Sequence, residues 1–218
     1  MKKKLIGYSV FFVVLTLVFL YFVFAGTDDW KTKAPVLSYV KPFTFKTQEG
    51  EPFSEKDMLG KVSVVEYFFT TCKGICPRLN ANMRTVYDVF KSNPQFQVVA
   101  HTCDPDRDSV QRLKLYADSM KLDSRNWILL TGRKDSLYQA ARTSYLLDDP
   151  KNNVVRIEDQ FIHTQFFAVV DKTGQVRGQI FDGLKKEDLI KLKDEVAALL
   201  KEKTGNPRFA NGIFNNNP

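Results

Sequence analysis

Residues 62–69, VSVVEYFF, form an almost unbroken apolar run. A strand with one wet face alternates apolar and polar residues, so this run reads as a strand buried on both faces. Such a strand demands a layer of structure on either side of its sheet. The run leads directly into TTCKGICP, and from Pro77 a helical pattern places Leu79, Met83, Val86 and Phe90 on one stripe. Proline suits a first helical position, where its missing N–H has no bond to lose. The next strand is 96–102, FQVVAHT, followed by a helix from about Ser109 to Met120 with Val110, Leu113, Ala117 and Met120 inward. Trp127–Leu130 reads as a strand and 134–143 as a helix. Residues 166–170 and 175–181 are strands joined by the turn Asp171-Lys172-Thr173-Gly174. A last helix, about 185–202, buries Leu189, Leu192, Val196, Leu199 and Leu200 before Gly205 and Pro207 stop it. Upstream, PFTF and QEGEPFS within 36–54 read as a hairpin turning at Glu49-Gly50.

Right-handed crossovers make the first strands parallel neighbours, and the terminal hairpin adds antiparallel ones. The expected fold is therefore α/β, a thioredoxin-like three-layer arrangement on a mixed sheet. It has an N-terminal hairpin and one inserted strand–helix, and is preceded by a single transmembrane helix. The chain of 218 residues is 44% apolar and 26% charged, enough for a core without a disulfide scaffold. The thioredoxin-like domain is placed at 36–203 and a disordered tail at 204–218. The net charge of +7 comes from basic residues scattered among acids, with no nucleic-acid module, so no nucleic-acid partner is expected.

The N-terminus bears on compartment. Lys2, Lys3 and Lys4 precede an uncharged stretch from Leu5 to Gly26. A helix of ~20 apolar residues spans a bilayer, whereas a cleaved signal has an apolar region of only ~7–15. Residues 1–26 are read as an uncleaved anchor and 27–35 as a linker. By the positive-inside rule the N-terminus is cytoplasmic and the domain extracytoplasmic, on a single-pass membrane protein.

Ligands in open α/β sheets bind beyond the carboxyl ends of the parallel strands. All three cysteines and both histidines fall at that edge. Cys72 and Cys76 follow strand 62–69, His101 and Cys103 end strand 96–102, and His163 precedes strand 166–170. An antiparallel direction for that last strand is what brings His163 back toward the cysteines. Cys76 stands at a helix N-terminus, where N–H groups and the dipole favour a thiolate, and Gly74 is expected to allow a tight loop. The pair admits three uses: a structural disulfide, thiol redox chemistry, or metal binding. A loop this short stabilises little as a bridge. Two thiolates and one imidazole select Cu(I), Cu(II) or Zn(II), and a closed zinc site would need four protein ligands. Oxidation of Cys72 and Cys76 to a disulfide would remove both sulfur ligands, so metal loading and redox state are coupled.

The stretch VVEYFFTTCKGICP, the DPDRDS at 104–109 and the lone His163 ahead of a strand–turn–strand resemble the Sco/SenC family over roughly residues 35–202. The resemblance implies a membrane-anchored copper carrier, rather than an enzyme, that assists maturation of the CuA centre of cytochrome c oxidase or reduces its thiols. It implies copper on Cys72, Cys76 and His163. It also implies two sets of partners, the oxidase subunit that carries CuA and other extracytoplasmic copper carriers or thiol reductases. Asp104, Pro105 and Asp108 match the family's acidic segment and would shape the adjoining loop. His101 and Cys103 share one face of their strand. They are candidates for the outer shell of the site, as a fourth ligand or resolving thiol, or else are buried filling.

Two rivals remain. A membrane-anchored thiol–disulfide oxidoreductase usually carries Cys-x2-Cys, and by superfamily resemblance a proline where His163-Thr164-Gln165 stand. A peroxiredoxin-like peroxidase would carry Thr-x3-Cys, whereas Thr70 and Thr71 directly precede Cys72.

Overall fold

A computed structural model of the chain describes residues 2–24, 34–72, 74–149, 151, 156–157, 160–162 and 164–202. The linker residues 27–33, His163 and the tail 204–218 lie outside the described residues. Two compact units are present, Met1–Ala34 and Pro35–Pro218.

The first unit is one helix, α1 (Lys2–Phe24). Side chains are described continuously from Ile6 to Tyr21, and that run is shorter than the ~20 residues a span needs. Among the described residues, no helix is long and apolar enough to cross a membrane.

The second unit is built on one eight-stranded mixed sheet. Its strands are β1 (Val36–Tyr39), β2 (Thr44–Thr47), β3 (Pro52–Ser54), β4 (Val62–Phe68), β5 (Phe96–Thr102), β6 (Trp127–Thr131), β7 (Phe166–Val170) and β8 (Gln175–Asp182), in the order β1-β8-β7-β4-β5-β6-β2-β3. β4, β5 and β6 are parallel, and β7 runs antiparallel to β4 with Val65 opposite Ala168. Every residue of β4 and β5 is buried, as the apolar runs require.

Helices α2 (Cys76–Phe90), α3 (Val110–Ser119), α4 (Lys134–Thr143) and α5 (Lys186–Lys201) cover the two faces. One core joins Val62, Val64 and Phe68 of β4 to Leu79, Met83 and Val86 of α2, Leu113 of α3, and Leu192 and Val196 of α5. The other joins Val65 and Tyr67 to Leu137, Tyr138 and Ala141 of α4, with Phe45 and Phe53 of the β2–β3 hairpin. The thioredoxin-like layers, the N-terminal hairpin and the inserted β6–α4 unit thus stand as expected.

β1 differs from expectation. The sequence reading gave 36–54 only the hairpin, yet Val36–Tyr39 pairs antiparallel with β8 at the sheet edge. The hairpin begins at Thr44, with Gly50 at φ 85° in its turn. β1 was illegible because it is largely exposed and its register is interrupted between Val36 and Ser38.

Candidate metal and thiol site

The carboxyl ends of β4 and β5 and the first residue of β7 meet at one edge of the sheet. Antiparallel pairing puts the start of β7 beside the end of β4. After β4 the chain turns through Phe69-Thr70-Thr71 to Cys72, whose backbone N–H donates to Phe69 O at 3.3 Å. Cys76 opens α2, and Pro77 occupies its first turn.

Cys72 and Cys76 are both free thiols, and their side chains hydrogen-bond to each other. Burial opposes ionisation of Cys72. The Cys76 thiol and the backbone N–H groups of Cys76, Gly74 and Ile75 outweigh it, so the Cys72 thiol lies below its ordinary value. Cys76, only 6% exposed, is pushed up to about 12 by burial and by the hydrogen bond and charge of Cys72. The helix N-terminus was expected to favour a thiolate at Cys76; its N–H groups serve Cys72 instead. A residue at the start of a helix points its side chain away from the orphan N–H groups, whereas a residue four positions earlier lies over them.

The loop is held by Asp108. This fully buried carboxylate accepts from Thr70 N at 3.1 Å, from Thr70 Oγ1 at 2.5 Å and from Thr102 Oγ1 at 2.6 Å. It ties the end of β4 to the end of β5. Asp104 contributes main chain, its N–H donating to Thr102 Oγ1 at 3.0 Å and its carbonyl accepting from Asp108 N at 2.9 Å. Arg112 Nε donates to Thr70 Oγ1 at 3.1 Å. Gly74, by contrast, has no positive φ, and a Cβ there would meet nothing within 4 Å. The expectation that this loop needs glycine is therefore corrected: Asp108 tightens it.

His101 and Cys103 turn to the opposite face. His101 is fully buried, stacked on Tyr67 at 5.1 Å and edge-on to Phe43 and Phe45, with Tyr145 also against it. Neither ring nitrogen has a hydrogen-bond partner, and burial lowers its pKa to about 3. The Cys103 thiol donates to Phe68 O at 3.1 Å, and burial pushes its pKa up. Of the uses open to these two residues, buried filling is the one their contacts match.

Among the described residues, no cluster of three His, Cys, Asp or Glu side chains could hold a metal. The structure therefore brings together the two sulfurs, and His163 lies outside what is described. The sequence reading passed over Glu66. It is 2% exposed within β4, its pKa is raised to about 8 by burial, and its charge opposes ionisation of Cys76. The available signal was an acid inside an otherwise apolar run.

The SCO1/SenC family model matches residues 31–198. The SCO1 protein homolog of Bacillus subtilis is 31% identical over 164 residues, covering 73% of this chain and 81% of that protein. A SCO1/SenC family lipoprotein from Bacillus anthracis is 28% identical with a TM-score of 0.65, over 78% of this chain and all of that one. Yeast Sco1 with copper bound is 26% identical with a TM-score of 0.55, over 78% of this chain and 98% of that one. BsSco, for which a disulfide switch is described, belongs to the Sco family of cytochrome c oxidase assembly proteins. It is 29% identical with a TM-score of 0.63, over 78% of this chain and 98% of that one.

Proposed function

The chain belongs to the SCO1/SenC family, and on that premise we propose that it is a copper carrier that assists assembly of cytochrome c oxidase. Cys72, Cys76 and His163 hold the metal, and the cargo is delivered to the CuA-bearing subunit. The observation that carries this reading is the pair of free, mutually hydrogen-bonded thiols at the sheet edge. Two sulfur donors with one imidazole suit Cu(I) and Cu(II), and the relative with copper bound supports the choice of metal. Copper binds only while the pair is reduced.

Titration of the reduced chain with copper yields a one-to-one complex, and His163→Ala weakens it by at least about tenfold, in line with loss of one of three ligands. Wild-type affinity in that variant would sink the three-ligand site.

A second reading is favoured by the asymmetry of the thiols. A lowered Cys72 beside a raised Cys76 suits a nucleophile and its buried partner in thiol–disulfide exchange. Partner-thiol reduction by the copper-free chain supports this use, and dependence on bound copper excludes it.

The anchor reading also belongs here. α1 continues into Leu5–Gly26 as an uncharged stretch behind three lysines, which supports a single pass with the domain outside the cytoplasm. Resistance to carbonate extraction tests it; release into the soluble fraction would sink it.

A further inference from the structure

Resting on the reading of Cys72 and Cys76 as a reactive pair, we propose that the surface around Cys72 is a docking face for an acidic, dithiol-bearing segment of a partner protein. Three large apolar side chains stand exposed there: Ile75 at 38%, Phe161 at 40% and Phe166 at 41%. Ile75 directly precedes Cys76. Phe161 packs edge-on against Phe69, with ring centroids 5.0 Å apart, and Phe69 O accepts the Cys72 N–H. Phe166 opens β7 at the end where β4 leads into the loop. Apolar groups gathered at one edge, around a half-buried sulfur, mark a contact surface rather than scattered exposure.

Charge identifies the occupant. Among the described residues, Arg78, Arg107 and Arg112 are exposed on this rim. Arg78 lies in the first turn of α2, and Arg112 is fastened to Thr70. The carboxylates of the same segment turn inward: Asp108 is fully buried and the Asp104 side chain is 14% exposed, which leaves Asp106 as the exposed acid of 104–109. Arginine beside apolar anchors is the composition of an interface centre, and its complement is acidic.

The chemistry requires that the partner bring two thiols. In the oxidised pair, a partner thiolate attacks Cys72 Sγ, the more exposed sulfur, and the Cys72–Cys76 bond breaks. Cys76 leaves as thiolate and takes a proton. The partner's second thiolate then attacks the partner sulfur of the mixed disulfide and releases Cys72. Two electrons pass from the partner dithiol to the pair, and the partner leaves as a disulfide. The reverse sequence transfers electrons from the reduced pair to a partner disulfide.

The test uses the full chain in neutral detergent, with its pair oxidised, and two synthetic peptides that share a Cys-x3-Cys core. One peptide is flanked by Asp and Glu, the other by Lys. At low salt the acidic peptide reduces the pair about tenfold faster than the basic one, and the difference collapses at about 0.5 M salt. Arg78→Glu narrows the difference, and Phe161→Ser slows both peptides. Dithiothreitol, small and neutral, reduces the wild type and both variants at one rate. Equal rates for the two peptides, with normal dithiothreitol rates, would overturn the docking face alone. A pair that forms no disulfide, or that dithiothreitol fails to reduce, overturns instead the reading of Cys72 and Cys76.

Discussion

Adjacent residues at the end of β5 meet opposite fates. Thr102 faces the cysteine loop and donates to Asp108, which is fully buried and bonded three times. His101 faces the other core, equally buried, and bonds to nothing. Polar atoms buried in low dielectric strengthen whatever they bind and cost stability when they bind nothing. One buried polar group therefore organises the site edge, while the other is tolerated among aromatic rings for its shape. Glu66, one strand over, resembles His101: buried and uncompensated.

Asp108→Ala tests this contrast most severely. It strands two hydroxyls and one N–H, and is expected to cost about 4 kcal/mol in chemical denaturation. Copper affinity should fall with it. A loss no larger than that of a surface aspartate would erase the distinction between the two regions.

The two uncompensated groups pull stability in opposite directions with pH. The fold holds a proton on Glu66 that the unfolded chain releases above pH 4.5, so this group lowers stability as pH rises from 4.5 to about 8. The fold keeps His101 neutral, whereas the unfolded chain protonates it below 6.5, so this group lowers stability as pH falls from 6.5 to about 3. Between 4.5 and 6.5 the two slopes cancel. Replacing either group exposes the other. His101→Leu should leave a loss of about 3 kcal/mol between pH 4.5 and 7, and Glu66→Gln a loss of about 1.5 kcal/mol between pH 6.5 and 5. Denaturation midpoints across pH check both, and a profile unchanged by either substitution would show that these groups are solvated after all.

The smallest effect is expected for Thr70→Val. It keeps the main-chain bond to Asp108 but removes the hydroxyl, costing about 1 kcal/mol. Its sharper readout is the Cys72 titration followed by alkylation rate, which should broaden if the loop is freed.

The contrast also marks where sequence reasoning reached. β4, β5 and β7 were legible because burial on both faces leaves an unbroken apolar signature, and α2, α3 and α5 because their inward stripes repeat at helical spacing. Cys72 and Cys76 were legible from their place after a buried strand. β1 was not, since an exposed, irregular edge strand leaves no periodicity. Nor could spacing say which thiol the helix N-terminus favours, because that depends on where each sulfur sits relative to the N–H groups. Asp108 looked like one turn former among several. Its three hydrogen bonds join residues far apart in the chain, Thr70 and Thr102, and no local pattern records them. His101 and Cys103 shared a strand face as expected, but the composition of that face, four aromatic rings, was set by segments distant in sequence.

The edge position of β1 has a mechanical consequence. The chain enters the domain at Pro35, so a pull on the N-terminal tether reaches β1 first. β1 is held by its antiparallel partner β8 alone, and β8 and β7 separate it from β4. Tension therefore peels away one short edge strand before it reaches the strand that carries Cys72, and the site keeps its shape on a leash under load.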